Sequence, residues 1–209
     1  WVAALAQAAL WVLVPALFYT SPPGELAAAL AIGQAHQLGS WRGPPLAFWF
    51  ADFAFKAAGG RVIGVYILAQ LCVLAALWAV FALGRAMVGA QHAAMAVLLM
   101  GGILVLSAPT PEFGPAILAL PLTALCLLHY WRAVGEGRRN AWIAVAVTLG
   151  WLLLTSYWGL LLALLLALFT LATRAGRAAL ASIDPWAAGA TAALIALPHA
   201  VWLLRFGGW

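Results

Sequence analysis

Charge is what this chain has least of. Only 7% of its 209 residues are Asp, Glu, Lys or Arg, and five of them are acids. A soluble domain carries about 25%, so no solvated surface can be built from this material. Cysteine is nearly absent too. Cys72 and Cys126 both fall inside apolar runs, without a CxxC pair or a Cys/His cluster, so they read as packing residues and not as a disulfide framework. Histidines and carboxylates are too sparse to specify a metal ligand set. The ten Lys and Arg stand singly between apolar runs, so the formal charge of +5 marks membrane topology and not nucleic-acid binding. The sequence opens on Trp1 with neither methionine nor a charged n-region, and no cleavable signal peptide is legible. We expect residues 1–209 to be a single transmembrane domain, a fragment of a longer chain.

What the sequence has in abundance is apolar length. Hydrophobic residues make up 67% of it, in runs long enough for a bilayer core of ~30 Å. The fold class expected is an all-α, polytopic transmembrane helix bundle. About seven spans are expected: Trp1–Tyr19, Val62–Leu83, Ala93–Leu106, Ala116–Tyr130, Ala141–Leu154, Leu160–Ala172 and Trp186–Leu204. The third stops at "SAPTPEFGP", residues 107–115, where prolines forbid a continuous helix. Pro198 is expected to kink the last.

Counting Lys and Arg in the loops orients the bundle. With the amino terminus inside, Arg85, Arg132, Arg138, Arg139, Arg174 and Arg177 lie on the inner side. Arg42, Lys56, Arg61 and Arg205 lie outside, together with Glu25, Asp52 and Glu112. Glu136 and Asp184 fall in inner, arginine-containing loops and read as solvated charge.

The first outer segment, residues 21–60, is too polar to cross a bilayer and too apolar for water. It reads as two helices lying in the interface plane. In the first, "GELAAALAIGQAHQLG", the helical period places Glu25, Ala29, Ile32 and His36 on one face. Pro44 and Pro45 suit the start of the second, whose aromatics end in a glycine stop. Asp52 and Lys56 sit at i, i+4 with the acid first, giving an aromatic helix with a charged stripe.

Four landmarks in order carry a resemblance. They are an acidic residue after the first span, then "PPL" followed by aromatics and "GG", then "TPE", then the hairpin "LLLTSYWGLLL". The pattern resembles the amino-terminal half of the GT-C glycosyltransferases that use lipid-linked sugars. These include the dolichyl-phosphate-mannose protein mannosyltransferases and the bacterial aminoarabinose transferases of lipid A. The family's Asp-Glu appears here as Gly24-Glu25, its His-Pro-Pro-Leu as Gly43-Pro44-Pro45-Leu46, and its Thr-Pro-Asp as Thr110-Pro111-Glu112. The lysine often found in the hairpin turn is replaced within Thr155-Ser156-Tyr157.

The resemblance implies a membrane glycosyltransferase that moves a sugar from a polyprenyl-phosphate donor to an acceptor. It implies a bacterial inner-membrane protein whose active site faces the periplasm. Its partners would be that donor and the lipid bilayer. Such transfer needs a carboxylate to take or orient the acceptor's proton and cations to hold the departing phosphate. Glu25 is the catalytic candidate. His36, Arg42, Lys56, Arg61 and Glu112 are the substrate-binding candidates. Each has a structural alternative: Glu25 and Glu112 suit helix first turns, His36 suits packing, and Arg42 and Lys56 suit snorkelling. His129 and His199 show no partner pattern and read as structural. Two other functions compete. A non-catalytic scaffold fits the departures from the family's motifs. A transporter should show more polar residues within its spans.

Overall fold

A chain this apolar satisfies its backbone N–H and C=O groups locally, in helices. The structure, a computed structural model, describes residues 2–22, 24, 26–100 and 113–206, and these form helices and short connections without a strand. The chain divides into two compact units, one of residues 1–37 and 46–121, the other of residues 38–45 and 122–209.

The first unit holds α1 (Val2–Phe18), α2 (Leu26–Gln34), α3 (Leu46–Ala57), α4 (Ile63–Val88), α5 (Ala90–Met100) and the beginning of α6 (Pro115–Tyr130). Its pillar is α4. Val65, Ala69, Val73 and Ala76 recur at helical spacing along one buried face, and α1, α3 and α5 pack on this helix. Val73 and Leu77 meet Ala4, Val97 and Met100. A single residue, Gly89, separates α4 from α5. Its φ of 90° and ψ of 164° lie in a region essentially reserved for glycine. The helices close tightly beside it, because a β-carbon on Gly84 would stand 3.0 Å from that of Ala93. Gly33 plays the same part between α2 and α3, where its α-carbon rests against the Phe48 carbonyl. Two glycines with positive φ, Gly59 at 67° and Gly60 at 76°, stop α3 as expected.

The second unit holds the rest of α6, a π-helical turn at Trp131–Gly135, α7 (Ala141–Leu153), α8 (Trp158–Ala172), the short α9 (Arg174–Ala179) and α10 (Asp184–Phe206). The broadest pairing is α7 with α10. Gly150 permits it, since a β-carbon there would lie 2.8 Å from that of Ile195. Cys126, Tyr130, Trp142, Val145 and Ala188 form the core. The one buried hydroxyl pair beside that core is satisfied, Tyr130 and Thr170 bonding at 2.6 Å. Pro198 lies inside an unbroken α10.

Among the described residues three helical segments are long and apolar enough to cross a membrane: Ile63–Val88, Pro115–Gly135 and Asp184–Phe206. Val2–Phe18, Ala90–Met100, Ala141–Leu153 and Trp158–Ala172 are apolar but shorter. At about 1.5 Å per residue Val2–Phe18, Ala141–Leu153 and Trp158–Ala172 reach less than the ~30 Å of a bilayer core. Among the described residues helix length by itself carries three spans, and the expected run Ala93–Leu106 and the stretch 107–112 lie partly or wholly outside the described residues. Outward faces remain apolar: Leu160, Leu164, Leu168 and Leu171 are exposed on α8, and Leu10, Leu13 and Leu17 on α1. A lipid-facing surface has this character.

Candidate functional site

Two helices stand where the pair at 24–38 and 44–57 is expected, α2 and α3, and the corner between them holds a charge cluster. Asp52 projects from α3 toward Gly33, which lies within 3.0 Å of its β-carbon when a β-carbon is built on the glycine. Its carboxylate is buried, with 4% of the side chain exposed, whereas Lys56 and His36 are exposed at 57% and 64%. Lys56 Nζ donates to Asp52 Oδ2 at 2.6 Å, and His36 Nε2 stands 3.6 Å from the same oxygen. Asp52 Oδ1 is buried with no hydrogen-bond partner among the described residues. The i, i+4 pair expected on a solvated stripe therefore exists, but its acid points inward.

His36 is placed differently from the sequence expectation. Helix α2 ends at Gln34, and His36 has a left-handed φ of 50°. It is thus off the helical stripe expected to hold Glu25, Ala29 and Ile32. The ring is oriented locally, since Nδ1 donates to the Gln34 carbonyl at 2.7 Å. A carbonyl can only accept, so Nε2 carries a hydrogen only when the ring is an imidazolium. Glu25 and Glu112, the two acids of the expected site, lie outside the described residues.

Also in the first unit, Arg61 borders an open groove of about 380 Å³ lined by Tyr19, Thr20, Ser21 and Tyr66. The groove gathers four hydroxyls and one guanidinium among the described residues.

Arg42 belongs to the second unit. Ser40 and Gly43 exchange backbone hydrogen bonds of 3.2 and 3.0 Å, closing a tight turn. Arg42 N–H donates to Ser40 Oγ at 3.2 Å, and the guanidinium lies 4.5 Å over the Trp41 ring. Gly43, where the resembled family has histidine, has φ of 122° and open space around it. Gly24, where that family has aspartate, has φ of 54°. Both departures thus coincide with backbone conformations that favour glycine.

What holds this turn lies far along the chain. His199, buried on α10, donates from Nδ1 to the Leu38 carbonyl at 2.8 Å. Its Nε2 faces the Tyr157 hydroxyl at 3.4 Å, a contact in which either atom can donate. Trp202 stacks on the ring at 6.0 Å and 13°, and Gly39 rests on the face of Trp202. Residue 38 and residue 199 are 161 apart, a separation at which no local pattern reports a pairing.

The acids expected on the inner side, Glu136 and Asp184, are paired. Arg139 meets Asp184 through two bonds, Nε to Oδ2 at 2.7 Å and Nη2 to Oδ1 at 3.0 Å, and the hydrogen bond and charge of Asp184 push the Arg139 guanidinium above its usual range. Arg138 Nε lies 2.8 Å from Glu136 Oε2.

Comparison with family models gives one match, the dolichyl-phosphate-mannose-protein mannosyltransferases, over residues 42–202. Comparison with curated proteins and with solved structures finds no match.

Proposed function

The chain belongs to the dolichyl-phosphate-mannose-protein mannosyltransferase family, and from that premise we propose that it is an integral membrane glycosyltransferase acting at the outer face of a bacterial inner membrane. It takes a sugar from a polyprenyl-phosphate donor. The acceptor's oxygen bonds to the sugar's anomeric carbon, the bond from that carbon to the phosphate oxygen breaks, and the phosphate leaves with the electron pair. Glu25 takes the acceptor's proton. Arg42, Lys56 and Arg61 are the cations for the phosphate, and His36 and Glu112 contact the substrates. The observation that carries this reading is the family match, which covers residues 42–202 of 209 and includes Arg42, Lys56 and Arg61. About seven passes through the membrane are part of the proposal, the shorter apolar helices serving as tilted or locally thinned crossings.

Replacing Glu25 by Gln in the full-length protein tests it. Removing a general base slows transfer by roughly 10²–10⁴-fold, so sugar release from the donor in membranes should fall by that factor while expression is unchanged. A second reading, a non-catalytic scaffold, is favoured by the glycines that stand where the family has aspartate and histidine, both at positive φ. Transfer by Glu25→Gln at the parental rate would remove the base assignment, and a full-length protein without transfer would leave the scaffold.

A further inference from the structure

Arginine gathers at one end of the second unit. The stretches 131–140 and 173–186 hold five of them, Arg132, Arg138, Arg139, Arg174 and Arg177, against two acids, Glu136 and Asp184. The short α9 packs on the π-helical turn, which brings the two stretches together. Both acids are engaged, Glu136 with Arg138 and Asp184 with Arg139. Arg174 and Arg177 are exposed, and neither of those acids answers them. Arg177 is held in place through Nη1, which donates to the Leu171 and Ala172 carbonyls at 2.9 and 3.1 Å, at the end of α8. A guanidinium carries five N–H donors, so the Arg177 Nε and Nη2 are left for a ligand.

Beside these arginines lies an apolar slot of about 310 Å³ between α6, α7, α8 and α10, walled by Tyr130, Trp142, Leu149, Leu166, Leu171 and Trp186. Leu171, whose carbonyl takes Arg177, is one of its walls, so that arginine stands at the slot's edge. The hydroxyls within it are already matched. Tyr130 and Thr170 share a bond of 2.6 Å, and Thr170 also donates to the Leu166 carbonyl at 2.6 Å. A cavity whose polar groups are satisfied and whose walls are otherwise apolar suits hydrocarbon and not a sugar or an ion. Trp186 is exposed, with its Nε1–H tied to the Leu180 carbonyl at 3.1 Å, the placement of an aromatic ring at headgroup depth.

We propose that this end of the second unit binds an anionic phospholipid, with the phosphate on Arg174 and Arg177 and one acyl chain in the slot. Guanidinium forks match phosphate oxygens, and basic pockets between apolar helices take acidic headgroups in this way. The excess of arginine over acid selects an acidic headgroup over a zwitterionic one. The Arg139–Asp184 pair is a fastening at the margin and touches no phosphate. None of the residues assigned to the sugar donor belongs to this site, so the inference goes beyond the glycosyltransferase reading and does not depend on it.

The test titrates radiolabelled phosphatidylglycerol onto the full-length protein in detergent micelles, with phosphatidylcholine of the same acyl chains as competitor. Lipid retained through gel filtration is counted. The parental protein should keep phosphatidylglycerol against a large excess of phosphatidylcholine. Arg174→Gln, at an exposed position, should weaken retention by about tenfold, as loss of a charged hydrogen bond does. Gly189→Leu fills the slot from its α10 wall. Nothing stands within 4 Å of a β-carbon built there, so the variant should fold, and it should lose retention with every arginine intact. Equal retention of phosphatidylcholine overturns the site, because charge is then not read. Retention that survives Arg174→Gln combined with Arg177→Gln, or that survives Gly189→Leu, overturns it as well. Displacement by polyprenyl phosphate at equal concentration would overturn the phospholipid assignment and give the slot to the donor. Sugar transfer by the Glu25→Gln protein is a separate measurement, so failure here is distinguishable from failure of the glycosyltransferase reading.

Discussion

Two ion pairs of almost equal length serve this molecule differently. Asp52–Lys56 closes at 2.6 Å and Arg139–Asp184 at 2.7 Å. In the second pair a guanidinium fork uses both carboxylate oxygens. In the first, both cations address one oxygen, and the other is buried without a partner among the described residues. A completed pair fastens two segments. An incomplete one, with its acid inside and its cations outside, leaves charge to be answered by something else. Incompleteness, more than ion-pair distance, separates a candidate site from a fastening.

The comparison breaks most severely if the corner itself is forced apart. Gly33→Leu would drive a side chain into the Phe48 carbonyl, which is backbone and cannot move aside. Overpacking of this kind costs about 3 kcal/mol. Thermal unfolding in detergent should show a lower midpoint for this variant and lost lipid-phosphate binding.

Next comes Lys56→Ala, which strands a buried carboxylate. We expect a loss of about 2 kcal/mol, from the desolvation cost of an unpaired buried acceptor. Adding Asp52→Leu to that variant should restore much of it, because the stranded charge is then gone. A double variant no more stable than Lys56→Ala would show that Asp52 is not held by its partner.

His199→Ala should cost about 1–2 kcal/mol by leaving the Leu38 carbonyl unmatched and Trp202 without its stacking partner. Limited proteolysis should show faster cleavage after Arg42, while cleavage after Lys56, in the other unit, is unchanged.

The smallest effect belongs to the completed pair. Arg139→Gln should leave the melting midpoint within error at moderate salt, since the guanidinium is exposed and the attraction is screened. A large drop would place this pair with Asp52–Lys56 and dissolve the distinction.

Much of the architecture was legible before any coordinates. Apolar runs locate the long helices: α4 closes at Gly89 and α10 opens at Asp184, although α4 runs on through the Gly84 and Arg85 expected to stop it. Pro44, Pro45, Gly59 and Gly60 bracket α3 as proline and glycine chemistry requires. Span count was less legible, because composition reports apolar character and not the length over which a helix persists. The corner cluster was half legible. The i, i+4 spacing showed that Asp52 and Lys56 meet. Helical phase could not place His36, because α2 ends two residues earlier and the chain turns left-handed there. Burial of Asp52 depends on Gly33 letting two backbones touch, a contact between distant stretches. The same limit hides Leu38 from His199.

That last contact sets a clock on biogenesis. Residue 38 leaves the ribosome 161 residues before its anchor does. At about 5–20 residues per second, the segment bearing Arg42 waits on the order of 10–30 s for the imidazole that fastens it. During that interval the Arg42 turn has no hold on α10, and the Leu38–His199 bond is among the last parts of the second unit to form.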